Sequence, residues 1–312
     1  MLVFFHRCLC CALLLSLSSV VYALKLNPHF FPDDPSHSEE SIYLHGLAQL
    51  YPGTVVFKDP KLEPRSLREN AAQIETLPSD ITYVRIYRLE EAMAAIHGVI
   101  DQPALILDLR YLQSESSGAG LAKLLNSDQN IASVTGVGII PSEITASIND
   151  LDVSATRRKY PAIVLCNRET AGPFETILDA LQSDNCIIAV GEATAGRTGF
   201  YTKHESDDVW IIQGELRPST DKTLIENGFV PRIKMDATPE TNYLSYNLYE
   251  TGRSITRLLR KNANALPTTE TGNSGPNDDE PFEPDAVLQR GVDIVAALQI
   301  LQQLPKNDEH GY

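Results

Sequence analysis

The sequence predicts an α/β fold built around a parallel β-sheet. Short apolar segments rich in β-branched residues recur through its middle, and segments with helical periodicity lie between them. Strands buried on both faces have this character, and their alternation with single helices is typical of βαβ units in a layered domain. The clearest such strands are residues 104–109 (ALILDL), 162–166 (AIVLC) and 186–190 (CIIAV).

The first residues predict an export signal. His6 and Arg7 precede an apolar run of residues 8–22, which is followed by the small residue Ala23. A basic segment, a short apolar segment and a small-residue cleavage site, in this order, form a secretory signal peptide. The apolar run is shorter than the roughly 20 residues that a spanning helix needs. We therefore predict a cleaved signal over residues 1–23 rather than a membrane anchor, and a mature protein in the periplasm or outside the cell.

The charge of the chain disfavours nucleic acid as a partner. Removal of residues 1–23 takes away Arg7 and no acidic residue, so the formal net charge of −15 becomes −16. A surface this acidic repels nucleic acid and anionic lipid, and no local cluster of Lys and Arg compensates for it. We expect no nucleic-acid partner and, after signal cleavage, no membrane-spanning segment.

Residues 24–80 are predicted to form an N-terminal segment ahead of the core. It holds a helix over residues 42–50, followed by a stretch that proline and glycine interrupt. The core itself is predicted over residues 81–262 from alternating strand and helix patterns. Its predicted elements, in chain order, are strand 81–89, helix 90–100, strand 104–109, helix 118–125, strand 131–140, strand 162–166, helix 174–181, strand 186–190, strand 209–212 and helix 241–261.

The last part of the chain is predicted to be a linker and a docked helix. Residues 263–284 are acidic and rich in proline and glycine, which indicates a disordered linker. Asp285 then stands where a helix N-cap belongs, and the apolar side chains after it form one stripe. Because an isolated helix would expose that stripe, we predict that the helix of residues 285–304 docks on the core.

The mature chain keeps two cysteines, Cys166 and Cys186. An exported protein can pair its cysteines in a disulfide. Here, however, Cys166 ends one predicted strand and Cys186 begins the next parallel strand. Roughly 16 Å of strand then separates them, which is beyond the reach of a disulfide. Two buried free thiols are predicted.

Motifs for metals and nucleotides are weak. The 7 histidines are scattered, and the chain has no HExxH or Cys-x-x-Cys motif, so no metal site is predicted. Residues 191–198 (GEATAGRT) resemble a phosphate-binding loop with Arg197 in the place of lysine. Such a loop must open a helix, whereas the residues that follow here are β-rich and broken by glycine. No nucleotide or other cofactor is expected.

Residues 161–201 carry the most informative pattern. The strand AIVLC, the segment NRETAGPFETILDALQ and the segment CIIAVGEATAGRTGFY together resemble the tail-specific (C-terminal-processing) serine peptidase family. In that family a strand ends in Val-Asn, a Ser-Ala-Ser-Glu-type turn opens a helix, and the next strand ends in Gly-Glu-x-Thr-x-Gly-Lys-Gly. The strand ALILDLR is similar to the family's Leu-Asp-Leu-Arg strand. The residues that match around the two turns are Asn167, Ala171, Glu175, Gly191, Glu192, Thr194 and Gly196. The resemblance covers residues 80–235 and 285–303 in outline and implies a crotonase-like α/β core.

The family mechanism depends on a Ser-Lys dyad and two backbone N–H groups that hold the oxyanion. Carried over residue by residue, the nucleophile position is Gly172 and the base position is Arg197, whose guanidinium stays protonated. Tyr201 stands where a glutamine often orients the lysine. Pro173, which has no N–H, stands at one oxyanion position. Tyr-Leu-Gln-Ser-Glu-Ser-Ser follows Arg110 in place of the Asn-x-Gly-Gly loop that supplies the other donor. The resemblance thus implies a peptidase fold without an intact catalytic site.

Three functions remain open at this point. The leading hypothesis is an exported, catalytically inactive relative that binds a peptide or protein in the former substrate cleft, with Gly172 and Pro173 kept for a tight strand-to-helix turn. The alternative is an active serine-type peptidase or hydrolase with relocated residues, in which Thr170 or Thr194 is the nucleophile. The third is a structural component of an envelope assembly. An apolar cleft near Gly172 would favour binding, a hydroxyl hydrogen-bonded to His, Lys or a carboxylate there would favour the enzyme, and a filled cleft would favour the structural role.

Overall fold

A computed structural model of the chain describes residues 39–50, 52–53, 55–57, 60–62, 68–125, 132–136, 158, 160–203, 209–218, 222–250, 259 and 285–303. The predicted signal peptide and the predicted linker lie outside these residues. The chain divides into two compact units. The smaller unit comprises residues 1–60 and 201–212, and the larger unit comprises residues 61–200 and 213–312.

The described secondary structure comprises helices α1–α6 and strands β1–β10. The helices are α1 (Glu39–Leu50), α2 (Leu89–His97), α3 (Ala119–Leu125), α4 (Phe174–Ser183), α5 (Pro239–Glu250) and α6 (Ala286–Gln303). The strands are β1 (Val55–Val56), β2 (Ala72–Leu77), β3 (Ile81–Ile86), β4 (Leu105–Asp108), β5 (Ala132–Gly136), β6 (Ala162–Cys166), β7 (Ile187–Gly191), β8 (Gly199–Lys203), β9 (Trp210–Pro218) and β10 (Ile233–Lys234).

A six-stranded sheet organises the larger unit, with the strand order β10-β7-β6-β4-β3-β2. All neighbours in this sheet are parallel except β2, which pairs antiparallel with β3. The predicted α/β class with parallel strands is therefore confirmed. The sequence pattern did not indicate β2, whose side chains are largely half-buried or exposed. The core begins before residue 81, the boundary predicted from the sequence.

Helices cover both faces of this sheet. On one face, α2, α3 and α4 pack their buried apolar side chains against those of β3, β4 and β6. On the other face, Val287, Leu288 and Val295 of α6 pack against residues that include Tyr83 and Ile106. The predicted N-cap of α6 is present as well, because Oδ1 of Asp285 accepts hydrogen bonds from the second and third residues after it at 3.1 and 3.0 Å. Helix α6 thus packs on this face of the sheet through these side chains.

Strand β5 departs from the predicted arrangement. Its residues 132–136 pair antiparallel with residues 214–218 of β9, within the larger unit. The strand predicted at 131–140 therefore adds no βαβ unit to the parallel sheet, and its other residues lie outside the described part. Strand β9 is also longer than the predicted strand at 209–212, since it continues to Pro218.

The smaller unit has a small apolar cluster of its own. Strand β1 pairs antiparallel with Trp210 and Ile211. Leu44 of α1, Val55 of β1 and Val209 form the buried cluster. The helix predicted at 42–50 is thus present and begins three residues earlier, at Glu39.

Cys166 and Cys186 are buried free thiols, as predicted. In the β6–β7 register, Ala162 faces Ile187 and Cys166 faces Gly191, so Cys166 and Cys186 lie at opposite ends of neighbouring strands. The chain without residues 1–23 should therefore take up two alkyl groups when it is alkylated denatured and unreduced, as measured by intact mass. An unmodified mass would mean that this strand pairing is wrong.

Candidate functional site

Two turns at one edge of the six-stranded sheet carry the residues that the family resemblance indicates. The first turn follows β6 and leads into α4, and the second turn follows β7. The carboxyl ends of β6 and β7 meet at the same edge because the strands are parallel. Open α/β sheets bind ligands outside the carboxyl ends of their strands. This edge is therefore the candidate site.

Glu175, in the first turn of α4, joins the two turns. Its Oε1 accepts hydrogen bonds from the backbone amides of Gly172 and Arg197, each at 2.9 Å. Its Oε2 accepts one from the amide of Gly196 at 2.8 Å and another from the hydroxyl of Thr194. The positions that correspond to the family's nucleophile and base are thus held together through their backbone, on one carboxylate oxygen.

The Glu175 side chain is fully buried. Burial raises the pKa of its carboxyl, while the hydrogen bonds from Thr194 and from the three backbone amides oppose that rise. The carboxylate is therefore surrounded by donors and closed to solvent. Its position in the first turn of α4 also places its negative charge at the favourable end of the helix dipole. In addition, the hydrogen bonds that it accepts from both turns connect them.

Gly172 adopts a backbone conformation that only glycine tolerates easily. Its φ is +146°. A Cβ atom built at this position would lie 2.0 Å from the carbonyl oxygen of Ser114 and 3.0 Å from ring atoms of Phe174. Such a contact with backbone is far inside van der Waals distance. The position that the resemblance assigns to the family's serine therefore has no room for a side chain.

The loop after Arg110 closes over the first turn. Gln113 forms a parallel β-bridge with Ala171. The Ser114 amide donates to the Ala171 carbonyl at 3.1 Å, and the Ala171 amide donates to the Leu112 carbonyl at 2.9 Å. The Ser114 amide is consequently engaged inside the protein. This is where the family resemblance would place an oxyanion loop.

The second turn is packed as tightly as the first. A Cβ atom at Gly196 would lie 2.6 Å from the carbonyl oxygen of Leu224. The Thr194 amide donates to the carbonyl of Phe229 at 3.0 Å, and the Phe229 amide donates to the Thr194 hydroxyl at 2.7 Å. Residues 224–229 therefore cover this turn from outside the sheet. Arg197 is half-buried here.

The remaining predicted site residues have separate surroundings. The Thr170 hydroxyl is buried, and it lies 3.0 Å from the Leu109 carbonyl and 3.2 Å from Oδ1 of Asn167. Tyr201 belongs to the smaller unit, where its hydroxyl donates to the carbonyl of Gly53 at 2.7 Å. Pro173 precedes α4 directly and has helical dihedral angles. The structure thus brings together Gly172, Pro173 and Arg197, to which the resemblance assigns the positions of the nucleophile, one oxyanion donor and the base.

A buried ion cluster lies beside this site, at the end of β4. Oδ2 of Asp108 accepts hydrogen bonds from the Tyr83 hydroxyl at 2.6 Å, from Arg85 at 3.3 Å and from Arg110 at 2.7 Å. Nη1 of Arg110 also donates to Asp285 at 2.6 Å. All four charged side chains are at most 2% exposed. The cluster connects β3, β4 and the start of α6.

The charges of this cluster stabilise each other. Burial alone would raise the pKa of Asp108, but Arg110 and Arg85 hold it lower, at about 2. The Leu-Asp-Leu-Arg strand can be recognised in the sequence, but the cluster cannot. The reason is distance along the chain, because Arg85 lies 23 residues from Asp108 and Asp285 lies 175 residues from Arg110. Only the folded arrangement brings these residues together.

A small cavity lies at the carboxyl ends of β3 and β4, where α5 passes over them. Its volume is about 10 Å³, room for about one water molecule. The residues that line it are Arg85, Ile86, Tyr87, Arg110, Tyr111, Tyr246 and Glu250. The last two belong to α5, and the other five belong to the ends of the two strands.

Among the described residues, no group of three or more His, Cys, Asp or Glu side chains is arranged to hold a metal ion. None of the described helices has both the length and the apolar character needed to cross a bilayer.

No protein-family model matches the chain, and no curated protein matches it. Among solved structures, it is similar to a photosystem II D1 C-terminal processing protease (18% identity, TM-score 0.41, covering 55% of this chain and 49% of that one). It is also similar to a lipoprotein from Streptococcus agalactiae (16%, TM-score 0.43, covering 70% and 84%). A candidate peptidase from Parabacteroides merdae matches at 15% identity and a TM-score of 0.47, covering 76% and 84%. At these identities and TM-scores the matches establish neither a shared activity nor a shared substrate.

Proposed function

We propose that this chain is an exported, non-catalytic relative of tail-specific peptidases, with a crotonase-like core, and that it binds a peptide or protein. The observation that carries the proposal is the closed turn at Gly172. A nucleophile needs a side chain at that position, and even a Cβ atom would lie 2.0 Å from the Ser114 carbonyl oxygen. The nucleophilic serine oxygen, with which the family mechanism begins, therefore cannot be accommodated at this position.

The other parts of the mechanism support the same proposal. Arg197 remains a cation and takes no proton from a hydroxyl. Pro173 donates no hydrogen bond, and the Ser114 amide is already bound to the Ala171 carbonyl. Oxyanion stabilisation needs donors that point at empty space, where the negative charge will develop. At the Gly172 turn, the amides of Gly172 and Ser114 are both bound within the protein.

The backbone atoms that fill the turn at Gly172 also limit where a partner can bind. Because backbone atoms occupy the space at Gly172, a peptide does not enter the family's nucleophile pocket, and we place its contact along the same edge of the sheet. A filled cleft alone would equally suit the structural role considered from the sequence. The cavity at the ends of β3 and β4 has room for about one water molecule and does not decide between the two roles. The binding role rests on the retention of the scaffold without its catalytic side chains.

One observation favours the second candidate, a hydrolase with relocated residues. The Thr194 hydroxyl is hydrogen-bonded to the Glu175 carboxylate, and a hydroxyl beside a base is the arrangement of an activated nucleophile. The same hydroxyl, however, accepts a hydrogen bond from the Phe229 amide at 2.7 Å, and Thr194 as a residue is only 7% exposed. These contacts suit a connection between two turns better than attack on a substrate.

The purified mature protein should not cleave unfolded proteins or peptides with apolar C-termini. Turnover is measured by mass spectrometry of the products over a long incubation, with buffer alone as the blank. Thr194→Val and Thr170→Val, which replace each hydroxyl by a methyl group of similar size, serve as controls for relocated nucleophiles. Cleavage by the wild-type protein that either variant abolishes would establish the hydrolase and refute the non-catalytic role.

A further inference from the structure

Strand β2 is the last strand of the six-stranded sheet, beside β3. The two strands pair antiparallel, and their register runs without interruption over all six residues of β2. Just before the first pair, the Tyr87 amide donates to the Ala71 carbonyl at 2.8 Å. Hydrogen-bonded and non-hydrogen-bonded pairs alternate in antiparallel strands, so the odd-numbered residues of β2 make the bonds to β3. The backbone groups of the other three residues therefore point away from β3, and these residues are Ala72, Ile74 and Thr76.

The outward-facing backbone groups of β2 are open to a partner. None of the described residues forms a hydrogen bond with the backbone of Ala72, Ile74 or Thr76 on this side. Solvent reaches this side of the strand, since Thr76 is exposed and Ile74 is 43% exposed. A row of unpaired N–H and C=O groups on an edge strand is a template for pairing with a further strand.

The sequence of β2 does little to prevent such pairing. Natural edge strands commonly avoid association through proline, lysine or a β-bulge. The six residues of β2, AQIETL, contain neither proline nor lysine, and the register with β3 has no bulge. The one charged side chain of the strand is Glu75. Because like charges on directly opposite residues destabilise a strand pair, Glu75 favours a partner strand with no acidic residue opposite it.

A second copy of β2 meets this condition. Antiparallel pairing about a two-fold axis at Ile74 places Ala72 opposite the second copy's Thr76, and Ile74 opposite its own counterpart. All three outward-facing residues of each copy then form hydrogen-bonded pairs, with two backbone bonds in each pair. Glu75 lies opposite the second copy's Gln73, so no like charges meet. The two Ile74 side chains, each 43% exposed in the single chain, contact each other across the axis.

Other registers of the same pairing are less favourable. A shift of one pair in one direction centres the axis on Glu75, so that the two Glu75 carboxylates lie opposite each other and only Ile74 and Thr76 form hydrogen-bonded pairs. A shift in the other direction leaves only Ala72 and Ile74 in such pairs. Side-chain contacts and charges fix the register of paired strands. The register centred on Ile74 is therefore the one that β2 favours.

We propose that two copies of this chain associate through β2, antiparallel about a two-fold axis at Ile74, so that their six-stranded sheets join into one continuous sheet. The interface is isologous, because the same strand is used by both copies. Main-chain hydrogen bonds supply the affinity, as in other cases of strand addition, and the contacts of Ile74 and Glu75 set the register. One strand from each copy buries a small area, so the dimer is weak and depends on concentration.

Sedimentation velocity of the full mature chain over the micromolar range measures this association. The mass should rise with concentration from that of one chain towards that of two. Thr76→Pro removes an amide that faces the second copy and spares the bonds to β3, since proline is tolerated on the open side of an edge strand. It should weaken dimerisation roughly tenfold or more, because the dimer loses two hydrogen bonds. Thr76→Val keeps this amide and is the matched control, which should dimerise like the wild-type protein.

Two cysteine variants test the register. At the two-fold axis, the Cα atoms of the two residues 74 would lie about 5.5 Å apart, which a disulfide can span. The two residues 76 would be separated by more than about 13 Å, which is the length of four residues along the strand. Mild oxidation should therefore link Ile74→Cys into a covalent dimer on a non-reducing gel and leave Thr76→Cys unlinked. Cys166 and Cys186 are buried and should give the wild-type protein no such link.

Three results would overturn the proposal. The first is a wild-type chain that stays monomeric over the whole concentration range. The second is a dimer that Thr76→Pro, shown by circular dichroism to be folded, leaves unchanged, because that dimer would form through another surface. The third is equal disulfide linking of Ile74→Cys and Thr76→Cys, which would exclude the register centred on Ile74. If Thr76→Pro does not fold, sedimentation of the wild-type chain and the two cysteine variants decide the question.

Discussion

Gly172→Ala should destabilise the protein by about 3 kcal/mol or more, the sum of a left-handed backbone cost and an overpacking cost. The added methyl group must enter a space where its carbon would lie 2.0 Å from the Ser114 carbonyl oxygen. That oxygen cannot turn away freely, because the Ser114 amide and the bridge at Gln113 tie its loop to Ala171. The measurement is the free energy of unfolding from urea denaturation, followed by circular dichroism.

Gly98→Ala is the matched control for this variant. Gly98 follows α2, has a helical φ of −65°, and would place its Cβ at an ordinary contact distance of 3.5 Å. The same substitution there should be neutral or stabilising by about 0.4–1 kcal/mol, because alanine restricts the unfolded chain. If Gly172→Ala lowers the free energy of unfolding no more than Gly98→Ala changes it, the 111–117 loop can move aside easily. The closed turn would then not exclude a nucleophile at residue 172.

The same clash limits any attempt to restore the family's dyad. Gly172→Ser combined with Arg197→Lys supplies both side chains, but the serine meets the Ser114 carbonyl, and Pro173 still withholds one oxyanion donor. Losing one such donor costs on the order of 10²–10³ in rate. The double variant should therefore show no turnover in the peptidase assay, even where it folds.

The sequence predicted the parts of the fold that depend on local pattern. Uniformly apolar segments such as residues 162–166 became central strands, and the N-cap at Asp285 and the stripe after it became a docked helix. Strand β2 was not predicted, because this edge strand buries too few side chains to show a clear apolar pattern in its sequence. The antiparallel pairing of β5 also escaped, since an apolar segment of this length carries no information about its partner.

The sequence indicated which residues form the candidate site, but it did not indicate how they are arranged. The resemblance placed Gly172 and Arg197 at the two positions that matter, and the structure holds both on Glu175. The role of Ser114 could not be predicted from the sequence. Its carbonyl oxygen leaves no space for a side chain at Gly172, and no sequence pattern indicates such a close approach. The buried ion cluster was equally hidden. Its members Arg85 and Asp285 come from strands and helices far apart in the chain.

Asp108→Asn should destabilise the protein by about 3–5 kcal/mol, the range measured when one partner of a buried ion pair is removed. The variant keeps the shape of the side chain and leaves Arg85 and Arg110 with one carboxylate fewer, both at 2% exposure. The matched control is Glu91→Gln. Glu91 is 60% exposed and forms an ion pair with Arg88, so the same loss of charge there should cost less than about 1 kcal/mol. Urea denaturation at neutral pH measures both variants, and equal losses would mean that the cluster contributes no more than a surface pair.

The pH dependence of this difference identifies the charge as its source. The pKa of Asp108 is lowered from 3.8 to about 2 in the folded protein, so its ionised form stabilises the fold fully above pH 3.8 and loses that effect as the pH falls towards 2. The gap in unfolding free energy between the wild-type protein and Asp108→Asn should thus be constant from pH 7 to 5 and shrink by about 2 kcal/mol below pH 4. Glu175, whose pKa is raised, titrates in both proteins and cancels in the difference. A gap that stays constant down to pH 3 would assign the loss to packing or hydrogen-bond geometry instead of the ion pairs.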